Sequence, residues 1–172
     1  MIQTYCRFLA EAAHLKAEGR ISDAILYHVI ALELLLNEKN SSTSSVTKRS
    51  AALTFTVLGK PYREVLEISE RIYDARSKYV HEGRTPDPKL LDEVEMISRE
   101  IAFVLFRLRQ TDANNDEGFR DQWARRLDVL VAHLGADDPV SPSDLHRVGA
   151  ADVGDFCFAD LYRGLSGPVK PE

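Results

Sequence analysis

The stretch RSKYVH at residues 76–81 sets an arginine and a histidine five positions apart. A guanidinium keeps its charge and presents a planar fork of donors that matches phosphate oxygens. An imidazole, with an ordinary pKa near 6.5, exchanges protons at neutral pH. Arg76 and His81 are therefore of types that could meet a phosphate-bearing ligand and exchange protons with it. One group moves protons, and the other meets charge on the phosphate. Ser77 adds a hydroxyl that can bond to phosphate or orient His81. Such a pair also recurs by chance in many helices, so a satisfied polar pair at a helix end is the plain alternative.

The pair falls in a long helix expected at 62–82, which Gly83, Pro86 and Pro88 bring to an end. With about 100° per residue, Val65, Ile68, Tyr73, Tyr79 and Val80 lie within roughly 140° of arc around Ile72, as a core-facing stripe. Arg76 lands near the middle of that stripe. It must snorkel, find a buried partner or face another subunit. His81 lies about 140° further round, on a polar strip with Glu70, Asp74 and Ser77. On one straight helix the two do not face a common point. A bend near the helix end, or a second copy of the chain, would bring them together. The last turn, at the negative end of the helix, favours the imidazolium of His81.

The rest of the chain reads as helix too. Residues 2–18 carry apolar groups at helical spacing before Gly19. Ser22 or Asp23 can cap a second helix to about 37, whose centre, VIALELLL at 29–36, is apolar nearly all round. A polar loop is expected at 37–46 and a short helix at 46–58. Asp87 opens a helix carrying Leu90, Leu91, Val94, Ile97, Ile101, Val104, Leu105 and Leu108. A further amphipathic helix is expected at 119–134, anchored by Trp123, with short helices near 143–148 and 155–163. The expected fold is all-α: an antiparallel helical bundle over 1–110, with a helical appendage and partly flexible tail over 111–172.

Composition narrows the classes further. Of 172 residues, 44% are hydrophobic and 28% charged, which fits a soluble globular chain. No apolar run approaches the ~20 residues of a membrane span, and the N-terminus lacks a signal-peptide pattern. Cys6 and Cys157 share no metal-ligand spacing and suit a reducing compartment, so a cytoplasmic location is expected. The net charge of −5 argues against a generic nucleic-acid coat. Between Lys48 and Arg84, however, eight basic residues face five acidic ones, so that segment is +3 and the remainder −8. Local basicity there is compatible with a phosphate-bearing ligand. His14, His28, His133 and His146 are scattered and form no metal pattern. No metal or cofactor is expected.

The run IYDARSKYVHEG, preceded about forty residues earlier by ALELLL, resembles the HEPN superfamily, and more closely its ApeA-like branch. The resemblance rests on Tyr73, Arg76, Ser77, Val80, His81 and Gly83, with Glu82 inserted before the glycine. Ala31, Leu32, Glu33 and Leu35 carry it in the earlier helix. It covers about residues 1–110 and leaves 111–172 unexplained. It implies a helical bundle that pairs as a homodimer, with the Arg and His of both subunits lining one cleft. It also implies an RNA-binding, metal-independent endoribonuclease (a hydrolase in the broad sense) of antiviral defence or toxin–antitoxin systems, with an antitoxin or defence-system protein as a further partner. Other members have lost activity and bind RNA, nucleotide or a protein. Many active members carry a more polar residue, such as Asn, where Ser77 stands. Some toxins carry a modified tyrosine where Gly83 stands, so that regulation does not carry over.

The expected catalytic residues are thus Arg76, His81 and Ser77, with Glu33, Tyr73 and Tyr79 in support. Glu33, the one charge in VIALELLL, is expected to pair with Arg76 or another cation, because an unpaired buried carboxylate is costly. Tyr73 and Tyr79 are read as packing and interface residues. Single-stranded RNA is the more accessible substrate. The competing functions are a silent HEPN binding module and a structural helical adaptor. The acidic segment 135–172 is a candidate cover for the cleft.

Overall fold

The computed structural model describes residues 2–36, 43–58 and 61–111 and, beyond them, 127, 128, 131, 132 and 134. Among these residues the chain is entirely helical, with no strand. Five helices follow in order: α1 (Ile2–Ala17), α2 (Ile21–Leu36), α3 (Thr43–Leu58), α4 (Tyr62–Glu82) and α5 (Lys89–Thr111). The architecture is the expected all-α bundle. Helix α1 packs chiefly on α2 and α3 on α4, while α2 also touches α3, α4 and α5.

This central place explains the all-round apolar centre of α2. Ile25, Val29, Leu32, Leu35 and Leu36 are buried, and they meet Tyr5, Ile72, Ile97 and Ile101 in one core cluster. Each such side chain contributes about 1.5–3 kcal/mol on burial.

Two boundaries differ from expectation. Helix α3 begins at Thr43, so the polar stretch TSS belongs to the helix rather than to the loop. Thr47 Oγ1 donates to the Ser44 carbonyl at 3.0 Å, so its hydroxyl is satisfied within the helix. Ser44 is thereby held in helical register, where it reaches the site described below. At the start of α2, Asp23 is not a cap. Its carboxylate accepts from Arg20 and Tyr79 instead.

Helix α4 ends as its sequence requires. Gly83 takes a left-handed φ of 66°, and its N–H bonds to the Tyr79 carbonyl. A side chain at this position would meet nothing within 4 Å, so its penalty is one of backbone conformation alone. Gly83→Ala is expected to lower stability by about 1 kcal/mol, read as an earlier midpoint in urea with an unchanged slope. An unshifted midpoint would mean that the last turn relaxes freely. Asp87 opens α5 as expected, its Oδ1 accepting the Lys89 N–H at 3.0 Å.

The α4 stripe is partly corrected. Val65, Ile68, Ile72 and Tyr73 are buried, but Val80 is 48% exposed. It lies in the last turn of α4 and remains uncovered there.

Of the helix expected at 119–134, Leu127, Asp128, Val131, Ala132 and Leu134 are described, and all are helical. Leu127 and Leu134 join the bundle's core cluster, with Val131 packed against it. Arg49 of α3, only 2% exposed, donates to Asp128 through Nε at 2.8 Å and Nη2 at 2.7 Å. Its Nη1 donates to the Leu36 carbonyl at 2.6 Å. This segment is therefore docked on the bundle through both apolar and charged contacts. Phe119, Trp123, Leu130, Cys157 and the helices expected near 143–148 and 155–163 lie outside the described residues. Among the described residues, no helix is long and apolar enough to cross a membrane.

Candidate functional site

Arg76, Ser77 and His81 stand on the last two turns of α4 and line one cavity of about 430 Å³. Glu33 of α2 and Tyr73 of α4 line it as well. Opposite α4, the first turns of α3 supply Ser44 and Thr47, and Glu70 and Asp74 extend the α4 wall.

The separation expected of Arg76 and His81 on one helix does not keep them from a common cavity within a single chain. The reason is angular. Ser77 falls between them, about 100° round from Arg76 and about 40° from His81. The cavity runs along the side of α4 that Ser77 marks. The long arginine stem reaches it from one flank, and His81 borders it from the other. Neither a sharp bend nor a second copy is needed to bring both residues to the same space.

Glu33 and Arg76 approach as a loose ion pair, Oε2 to Nη2 at 3.9 Å, with the two side chains 29% and 28% exposed. This distance is too long for a hydrogen bond. Asp74, by contrast, is held by Lys78 Nζ at 2.6 Å on the exposed face. His81 is exposed in the final turn.

Tyr73 and Tyr79 part company. Tyr79 is not among the described lining residues. Its hydroxyl donates to Asp23 Oδ1 at 2.7 Å and ties α4 to the start of α2. That bond holds the Asp23 carboxyl below its ordinary range and raises the Tyr79 phenol. Tyr73 faces the cavity and is 5% exposed. Burial raises its phenol far above the ordinary value, the Glu33 charge adds to that, and Arg76 opposes it.

The other described histidines serve elsewhere. His14 lies on the exposed face of α1, 3.2 Å from Glu18. His28 is buried against α5, its Nδ1 2.7 Å from Ser98 Oγ. Among the described residues no group of three or more His, Cys, Asp or Glu side chains is placed to hold a metal ion.

Sequence reasoning missed Ser44 and Thr47, which lie about thirty residues before Arg76 and were assigned to a loop and to an unremarkable helix. Glu70 and Asp74 were legible, since both share the polar strip of His81. No protein-family model, curated protein or solved structure matches this chain.

Proposed function

We propose that the chain is a HEPN-type, ApeA-like domain acting as a metal-independent endoribonuclease, with Arg76, Ser77 and His81 as its reacting groups. One observation carries this reading: the three residues line a single cavity of about 430 Å³, a size within the ~300–1,000 Å³ of small-ligand sites. Arg76 meets the phosphate through its fork of donors. His81 takes the proton of the ribose 2′-OH, whose oxygen attacks phosphorus. The P–O5′ bond breaks, and the imidazolium returns the proton to the leaving oxygen. The products are a 2′,3′-cyclic phosphate and a 5′-hydroxyl. Ser77, between the two, holds a phosphate oxygen or the imidazole. A homodimer would join two such cavities across the α4 ends, and the exposed Val80 beside His81 gives that seam an apolar contact. In this reading the domain serves antiviral defence or a toxin–antitoxin system in the cytoplasm.

Three carboxylates, those of Glu33, Glu70 and Asp74, share the cavity with the two basic residues. That balance favours a second reading, a silent module that binds RNA, nucleotide or a protein without cutting. Incubation of the purified chain with end-labelled RNA in EDTA separates the two. Fragments ending in cyclic phosphate support the nuclease. A retained complex with intact RNA supports the binding module, and the absence of both results dismisses an RNA function.

A further inference from the structure

The inner wall of the cavity holds two polar groups that the fold leaves unmatched. The hydroxyl of Tyr73 is buried and has no hydrogen-bond partner among the described residues, and the same is true of Nε of Arg76, three positions on. Both residues line the cavity. A buried donor left unmet lowers stability by about 1–3 kcal/mol. Phenylalanine would fill the same space without that penalty, so packing alone does not account for the hydroxyl. Two other tyrosines of the bundle show the usual arrangement. Tyr5 donates to the Ser98 carbonyl and Tyr79 to Asp23.

We propose that the Tyr73 hydroxyl and the Arg76 Nε–H form a recessed donor pair that seats one nonbridging oxygen of a substrate phosphate. This rests on the reading of the cavity as an RNA site. It changes Tyr73 from a packing residue to a substrate-binding one. Its raised phenol keeps the hydroxyl protonated, and hence a donor, throughout the physiological range. Glu33 Oε2, 3.9 Å from Nη2, is too far to hydrogen-bond the guanidinium, and Nε keeps no partner among the described residues. The hydroxyl is closed off from solvent, so an anionic oxygen reaches it as the partly exposed Arg76 side chain turns with the phosphate. The carboxylates of Glu70 and Asp74 on the same cavity repel a continuous run of phosphates. One phosphate of an unpaired strand or loop is therefore admitted in preference to a duplex backbone.

The test compares the wild type with Tyr73→Phe and Arg76→Ala in EDTA. A fluorescent 2′-O-methyl oligoribonucleotide, which cannot be cut by 2′-oxygen attack, reports binding. Thermal unfolding is followed with and without inorganic phosphate. Tyr73→Phe is expected to keep or raise the Tm while weakening oligonucleotide binding about 10- to 100-fold, the worth of one hydrogen bond to a charged group. Wild-type affinity in Tyr73→Phe, or weaker binding together with a lower Tm, returns Tyr73 to a packing role and overturns the proposal. Loss of binding in Arg76→Ala would then still uphold the RNA site. If the wild type binds no oligonucleotide, the RNA reading falls. The donor pair then survives only if inorganic phosphate raises the Tm of the wild type and not that of Tyr73→Phe. Absence of that difference dismisses it.

Discussion

If the chain is the proposed nuclease, His81→Ala and Arg76→Ala are each expected to reduce RNA cleavage by about 10²–10⁴-fold while leaving the fold in place. General acid–base catalysis by a positioned side chain is worth about that much, and loss of one donor to developing charge typically removes 10²–10³. If the imidazole and the guanidinium act as a unit on one phosphate, the double variant should be little slower than the worse single one. Stability is expected to survive both. His81 is exposed at the end of α4, outside the core. Arg76 gives up a loose, partly exposed pair with Glu33, a contact worth no more than about 1 kcal/mol. Removing its unmatched Nε offsets part of that. Arg76→Lys keeps the charge without the planar fork and should recover only a fraction of the rate. The measurement is a time course on labelled RNA in EDTA, beside urea unfolding of each variant. Wild-type rates in His81→Ala would remove the imidazole from the chemistry.

The bundle was legible because the patterns that specify it are local. Gly19 and Gly83 mark two helix ends, and the apolar centre of α2 marks the element that others surround. The start of α3 was not legible. Serine and threonine are ambiguous between helix and loop; in the fold the Thr47 side-chain hydroxyl donates to the Ser44 carbonyl within the helix. The site was half legible for a geometric reason. Angles around α4 put Ser77 and His81 on one strip but set Arg76 apart from them, and they say nothing of α3, whose Ser44 and Thr47 close the cavity from a distant part of the chain. Tyr73 shows the same limit. Its place on the apolar stripe reads as packing, and only the missing partner of its hydroxyl suggests otherwise. Arg49 is the reverse case. In the sequence it is one more charge in a basic stretch, whereas in the fold it is a buried brace to Asp128.

Acid should unfold this bundle earlier than its carboxylates alone require, and His28 is the cause. The ring lies between α2 and α5, 6% exposed, with Nδ1 on Ser98 Oγ. Ser98 is also anchored to the Val94 carbonyl at 2.8 Å, and its own carbonyl accepts from Tyr5. Three helices thus meet around an uncharged imidazole. Burial depresses its pKa from 6.5 to about 4, with Lys16 adding to the effect and Glu95 opposing it. In the unfolded chain the ring titrates near 6.5, so between these values the unfolded state binds a proton that the native state refuses. Stability is therefore unaffected by His28 above pH 6.5, falls as the pH drops toward 4, and then levels, for a total of roughly 3 kcal/mol. His28→Gln keeps a polar side chain but cannot titrate. It should be less stable at pH 7.5 and lose less on acidification. Urea midpoints of both proteins at pH 7.5, 5.5 and 4.5 read the difference directly, since the carboxylates titrate alike in each. Parallel losses in the two proteins would mean that the ring finds solvent or a counter-charge in the native bundle, and that the buried α2–α5 contact is looser than its 2.7 Å bond implies.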